Sequence, residues 1–250
     1  MKAIILAAGR GSRMKEMTDE RPKCLVEVHG KPLLRWQTDA LTAAGVDEIG
    51  IVVGYRSELL EGCGFTVFRN PRWQETNMVA SLACAAEWLR DQPCIVSYSD
   101  IFYEAAAASS LMHSDAALAV TYDPNWRRLW ERRFADPLSD AETFRLGSDG
   151  NLLEIGRKPE RFEDVEGQYM GLLRFSPPAW AAVDRLRDGL EARVRDRLDM
   201  TGMLQRLIES GATPVRALPY VGVWGEVDSP DDIAAYADRG VGNDADPATA

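Results

Sequence analysis

The sequence predicts one α/β domain, a mixed and mostly parallel central sheet sandwiched by helices. Three observations carry this. At 250 residues the chain is long enough to bury one sizeable core. Its first seventy residues run strand, helix, strand, the order of a parallel sheet with helices on its faces. A glycine-containing basic loop follows the first apolar run at once, and in such sheets ligands bind beyond the carboxyl ends of the strands.

The first strand is the apolar run 3–7, stopped by Gly9 and then Gly11. Arg13 and Lys23 follow in a loop that also holds Arg10, Lys15 and Arg21. Glycines let backbone N–H groups approach an anion and the basic side chains neutralise it, so this stretch reads as a polyphosphate cradle. It is neither common phosphate loop: a dinucleotide fingerprint needs Gly where Met14 stands, and no GK[ST] follows. Residues 32–44 form a helix, with Leu33, Leu34, Trp36, Ala40, Leu41 and Ala44 on one stripe, Pro32 at its start and Gly45 beyond its end. Residues 48–53 and 65–68 are the next strands. A helix capped by Thr76 or Asn77 runs to about 89, and on residue type alone Asn77 is a cap and Ser81 an ordinary helix residue. The strand 94–98 ends in Ser99 and Asp100. A carboxylate there can hold Mg²⁺ against a phosphate, or serve as turn or cap before the helix 105–111, and both readings stand.

Further on, 117–122 and 169–175 are strands, and 143–146 with 152–155 form a hairpin around Ser148, Asp149 and Gly150. Residues 177–190 and 199–211 are helices, the second with Thr201 as a candidate cap, and 214–218 is a late strand. The apolar strand before Asp228 is followed by Ser229, Pro230, Asp231 and Asp232, which cap, start and charge the positive end of a final helix. Residues 240–250, rich in Gly, Asp, Ala and Pro, read as a frayed tail.

A net charge of −10 argues against a nucleic-acid surface. Residues 1–31 nevertheless carry +3, leaving −13 on the rest, a local basic patch suited to a small anion. Cys24, Cys63, Cys84 and Cys94 have no CxxC spacing, and with only His29 and His113 a zinc site is not indicated. Free thiols fit a reducing cytoplasm. No apolar run has the length of a membrane span, and MKAIILAAGRG reads as a buried first strand rather than a targeting segment.

The pattern Gly9-x-Gly11-x-Arg13, then Pro22-Lys23 and LVEVHGKPLL over 25–34, resembles the signature of nucleotidyltransferases that make NDP-sugars and CDP-alcohols. TNMVASL from Thr76 and VWGEVDS from Val223 resemble the bacterial phosphocholine cytidylyltransferase branch. The resemblance covers residues 1 to about 239 and implies a Rossmann-like nucleotidyltransferase domain with a small inserted acceptor-binding β region at about 123–175. It implies a nucleotide site built from Leu6, Ala7, Ala8, Gly9, Gly11, Ser12, Arg13, Lys23, Asn77, Ser81 and Ser99. Lys23 would steady the α-phosphate and acceptor phosphate, and Arg13 the departing pyrophosphate. Asp100 and Asp228 match the positions of the Mg²⁺ ligands. Asp140, Glu142, Lys158, Gln168 and Tyr169 are the matching acceptor-pocket candidates.

Trp126 and Trp130 stand four apart, on one face of a helical segment. They suit either a cation–π cage for a quaternary ammonium or an aromatic pair closing a small core. The interleaved Arg127, Arg128, Arg132 and Arg133 suit a carboxylate or phosphonate acceptor instead. The implied reaction is transfer of CMP from CTP to a small phosphorylated alcohol or phosphonate, phosphocholine-like, with release of pyrophosphate. A sugar-1-phosphate enzyme using UTP or dTTP is the alternative within the class. A non-catalytic nucleotide-binding regulator would lack a metal carboxylate or the loop lysine, and Lys23, Asp100 and Asp228 are all present. The oligomeric state stays open, a homodimer included.

Overall fold

A strand with no polar alternation belongs in the middle of a sheet covered on both faces, and β1 (Lys2–Ala7) sits there. Ala3, Ile5 and Ala7 pack into the core on one face, and Ile4 and Leu6 into the core on the other. The computed structural model describes residues 1–237; the expected tail at 240–250, and 238–239 of the expected domain, lie outside the described residues. The chain continues through β2 (Glu27–Val28), β3 (Lys31–Pro32), α1 (Leu33–Ala43), β4 (Glu48–Val53), β5 (Thr66–Arg69), α2 (Met78–Ala83), α3 (Ala86–Asp91), β6 (Cys94–Tyr98), β7 (Ile101–Tyr103) and α4 (Ala105–Met112). Then come β8 (Leu118–Asp123), α5 (Trp126–Arg133), β9 (Phe144–Leu146), β10 (Leu152–Ile155), β11 (Gln168–Phe175), α6 (Pro177–Asp188), α7 (Ala192–Asp196), α8 (Met200–Ser210), β12 (Val215–Pro219), β13 (Trp224–Glu226) and α9 (Pro230–Ala237).

The seven-stranded sheet has the order β12-β8-β11-β6-β1-β4-β5. Only β11 runs against its neighbours, β6 and β8; the other pairings are parallel. The mixed, mostly parallel sheet expected from the sequence is therefore observed. The chain leaves β1 toward β4 on one side and returns to β6 on the other, so β1 and β6 flank a topological switch point with a crevice at their carboxyl ends. Both loops that the sequence marks as functional, after Ala7 and after Tyr98, open there.

A second ladder matters more than its size suggests. β7 pairs antiparallel with β13, Ile101 opposite Glu226 and Tyr103 opposite Trp224, and the Val227 N–H donates to the Asp100 carbonyl at 2.9 Å. The sequence reading contains β13 but not β7, a three-residue strand too short for period-2 alternation to be seen. The β9–β10 hairpin forms as expected, with the Gly150 N–H closing onto the Gly147 carbonyl at 2.9 Å.

Two local expectations are corrected. The helix expected to run to 89 is broken at Ala85 (φ −100°, ψ 19°) into α2 and α3. The break seats Trp88 edge-on against Phe68, ring centroids 5.1 Å apart, a tertiary contact that overrides local helix propensity. The cap of α8 is Asp199, whose carboxylate accepts from the Gly202 N–H at 2.8 Å, and not Thr201. Asp is a better N-cap acceptor than Thr and stands where the chain enters the helix.

The carboxyl ends of β1 and β4 approach closely because Gly54 follows β4. A Cβ there would lie 2.6 Å from both the Ala8 carbonyl oxygen and Trp73 Cβ. Gly54→Ala is expected to destabilise the protein by about 1–3 kcal/mol through this overpacking. Chemical denaturation checks it, and an unchanged midpoint would show that strand and loop can separate freely.

Candidate active site

The loop after β1 is held by its own side chains. Residues 12–18 form 3-10 turns, Met14 is fully buried in the core, and the Thr18 hydroxyl donates to the Gly11 carbonyl at 3.1 Å. Met14 thus supplies the anchor where a dinucleotide loop would have glycine. Gly11 adopts φ +72°, and a Cβ on it would stand 2.8 Å from Lys23 Cδ. The glycine is required for the lysine stem to pass beneath the loop. Around the Cβ position of Gly9 there is no heavy atom within 4 Å, so the cradle is open on that side.

The loop forms one wall of a cleft of about 290 Å³ at the switch point. Leu6, Ala8, Gly9, Gly11, Ser12, Arg13 and Lys23 line it from β1 and its loop; Asn77 and Ser81 line it from α2; Ser99 and Asp100 follow β6. Of the expected nucleotide residues only Ala7 is absent from the lining, since its side chain points into the core. Asn77 both lines the cleft and caps α2, its carbonyl oxygen accepting from the Met78 N–H at 2.8 Å. Ser81 accepts from Asn70 at 2.9 Å. Trp73, Met78 and Tyr98 also line the cleft and were not singled out from sequence, and Thr76, which lines it too, was read only as a candidate helix cap. Their signal was weak: an aromatic in NPRWQETN, and a tyrosine ending a buried strand.

At the floor, β7 and β13 bring together carboxylates far apart in the chain. Oxygens of Asp100, Glu226 and Asp228 lie within 4.8 Å of one another. Like charges that close repel by roughly 3–4 kcal/mol at an effective dielectric of 20, so cations must be near. Lys23 Nζ reaches Asp100 at 2.8 Å and Asp228 at 2.5 Å, and Arg13 reaches the same Asp228 oxygen at 2.8 Å. Burial works against the Lys23 ammonium, but Asp100 and Asp228 outweigh it and hold its pKa above the ordinary value. Burial, then the Asp228 charge, pushes the Glu226 carboxyl up to about 8. Asp100 Oδ1 is buried with no hydrogen-bond partner among the described residues. An all-oxygen donor set with one unsatisfied lone-pair oxygen fits a hard divalent cation. Glu226 was not marked as a site residue in the sequence, although it ends β13 only two residues before Asp228.

The expected acceptor residues divide. Trp126 and Trp130 are buried, and their indole N–H groups are used internally, by the Val165 carbonyl at 3.1 Å and Asp140 at 3.2 Å. Trp126 stacks on Phe162, and Trp130 packs against Trp224 with Arg133 over its ring at 4.7 Å. The cage reading is therefore corrected: these rings close a core, and the cation over Trp130 is the chain's own. Lys158 donates to the Leu138 and Ser139 carbonyls, the latter at 2.7 Å, and so pins the turn at 137–139. Asp140 and Glu142 are half-buried, and burial raises both carboxyls above the ordinary value. Tyr169 meets the cleft-lining Tyr98 edge to face at 5.7 Å, and Gln168 precedes it at the start of β11. The two histidines do other work: His29 (φ 53°) makes the β2–β3 turn with Gly30, and His113 caps α4.

Residues 3–207 match the family model described as the MobA-like NTP transferase domain. Over 255 residues the chain is 33% identical to the CTP:phosphoglutamine cytidylyltransferase of Campylobacter jejuni, covering 96% of this chain and 100% of that protein. It is 39% identical over 106 residues to the choline-phosphate cytidylyltransferase of Streptococcus pneumoniae, which covers 41% of this chain and 46% of that one. The solved structure of the inositol-1-phosphate CTP transferase from T. maritima has the same fold, with a TM-score of 0.75 over 94% of each chain at 18% identity.

Glu226 gives a pH test. Its folded value near 8 exceeds the ordinary 4.5, so the folded protein holds this proton more tightly than the unfolded chain. The resulting stability is whole below about pH 4.5 and is lost as pH rises toward 8. Glu226→Gln cannot ionise, and in chelator-treated buffer its Tm is expected to gain on the parent's between pH 5 and pH 8.5. A difference that stays flat or falls would contradict the destabilised carboxylate.

Proposed function

The chain belongs to the MobA-like NTP transferase family and is a nucleotidyltransferase, and from that premise we propose that it transfers CMP from CTP to a small phosphorylated or phosphonate acceptor. The observation that carries the reading is the convergence of the glycine loop, Lys23 and three carboxylates at one cleft. The full-length likeness to a CTP-dependent relative supports CTP as the donor. The acceptor's phosphate oxygen is already an anion, so no general base is needed, and neither histidine lies in the cleft lining.

The new bond joins that oxygen to the α-phosphorus while the bond from the α-phosphorus to the bridging oxygen of the β-phosphate breaks, and pyrophosphate leaves. The protein's part is positioning and charge neutralisation. Amides of the 8–13 loop and Arg13 take the β- and γ-phosphates. Lys23 bridges the incoming and transferred phosphates once it exchanges a carboxylate for them. Asn77, Ser81 and Ser99 hold the nucleoside. Asp100, Asp228 and Glu226 would hold Mg²⁺, which when bound neutralises charge on the α-phosphate. The segment 123–175 selects the acceptor, with Tyr169 against the cleft-lining Tyr98 and Asp140, Glu142 and Gln168 as the further candidates. Two half-buried carboxylates there favour an acceptor that carries an amine or ammonium, as phosphocholine does. Such an enzyme works in the cytoplasm, where CTP is found; among the described residues no helix is long and apolar enough to cross a membrane.

Pyrophosphate release with a panel of NTPs and acceptors is expected to need CTP and a phosphorylated or phosphonate amine or alcohol. Activity confined to UTP or dTTP with a sugar 1-phosphate would replace the reading by that second class. Asp228→Ala is expected to lower kcat by at least about 10²–10³-fold. It should leave the fold intact, since Lys23 keeps Asp100 and Arg133 keeps Glu226 and Asp232. A variant that keeps parental kcat in single-turnover assays would remove Asp228 from the site.

A further inference from the structure

Four arginines interleave the aromatics of α5, and one behaves unlike the rest. Arg127, Arg128 and Arg132 are exposed, whereas the Arg133 side chain is 0% exposed. Its guanidinium lies over the rings of Trp130 at 4.7 Å and Phe134 at 5.0 Å. Arg133 Nε donates to Asp232 at 2.7 Å, one terminal nitrogen to Glu226 at 3.1 Å, and the other to Asp232 at 3.4 Å. That last nitrogen also stands 3.8 Å from Asp228 Oδ2. A planar fork can address three carboxylates at once, which a lysine's point charge cannot.

The two oxygens of Asp228 therefore have different surroundings. Oδ1 faces Lys23 and Arg13 in the cleft, and Oδ2 faces Arg133 behind it. The backbone is held from the same side, because Asp232 accepts from the N–H groups of Asp228 and Ser229, each at 2.8 Å, and from the Ser229 hydroxyl at 3.1 Å. Arg133 and Asp232 thus form a frame around both the main chain and the side chain of Asp228. The frame's cation comes from the end of α5, in the segment read as selecting the acceptor.

We propose that Arg133 is a positioning residue: it sets the carboxylates of Asp228 and Glu226 for a divalent cation, and ties α5 mechanically to the nucleotide cleft. This rests on the reading of Asp100, Glu226 and Asp228 as a metal site. Removing an outer partner of a metal ligand typically weakens metal binding 10- to 100-fold.

The test is Mn²⁺ binding to the protein with CTP, read as the fall in the spin-resonance signal of free Mn²⁺ beyond that caused by the same CTP without protein. Arg133→Lys is expected to fold and to bind Mn²⁺ at least about 10-fold more weakly than the parent. If that variant does not fold, Asp232→Asn loosens the same fork from its far side and should shift Mn²⁺ affinity in the same direction. Parental Mn²⁺ affinity with a lowered Tm would make the arginine merely structural and overturn the proposal. Parental affinity with lost pyrophosphate release would make it a substrate contact and overturn it equally. A parent protein that takes up no Mn²⁺ beyond what CTP alone binds would instead overturn the metal reading beneath it.

Discussion

Three carboxylates gathered into one small volume set the terms for the rest of this molecule. Asp100, Glu226 and Asp228 come within 4.8 Å because a three-residue ladder, β7 against β13, clamps the loop after β6 to a strand more than a hundred residues later. The Val227 N–H to Asp100 carbonyl bond closes that clamp at its end. Such a cluster is tolerable only with cations around it. Lys23 and Arg13 come from the glycine loop on one side, and Arg133 from α5 on the other. Each of the three chain regions at the cleft therefore contributes a charge that the others need.

The sheet explains why that charge exchange happens at this place. β1 lies between β4 and β6, so the crevice beyond its carboxyl end is the point where the chain's winding reverses. Gly54 lets the ends of β1 and β4 close together, and Gly11 lets the Lys23 stem pass under the loop. Met14 and Thr18 fix the loop to the core. A rigid cradle with an open side at Gly9 suits a polyphosphate that must be gripped and then released.

The segment 123–175 has a different economy. Its aromatic residues close a second layer of core around Trp130, with Arg133, Phe134 and Trp224 against it. Lys158 spends its ammonium on two backbone carbonyls. What remains of it on the side of the cleft-lining Tyr98 is acidic and aromatic: Asp140, Glu142 and Tyr169. Charge density in a sequence thus says little about which side chains meet a ligand, because a buried helix end can consume the most promising of them.

By itself the sequence determined the fold class, because a fully apolar strand followed by alternating periodicities leaves few arrangements other than a covered parallel sheet. It also marked the glycine loop with its Lys23, and the carboxylates Asp100 and Asp228 at strand ends, although their roles as metal ligands came from the family resemblance and not from local pattern. Tertiary structure alone decided what those residues touch. β7 is too short to show a period, so no local pattern announces that Asp100 and Asp228 meet, which only the family resemblance implied, and nothing marked Glu226 beside them. Trp126, Trp130 and Arg133 could face a pocket or a core with the same helical spacing, and only the packing of α5 against β13 and α9 turned them inward. Periodicity is a property of neighbours along the chain; a site made by strands and helices a hundred residues apart is a property of their contact.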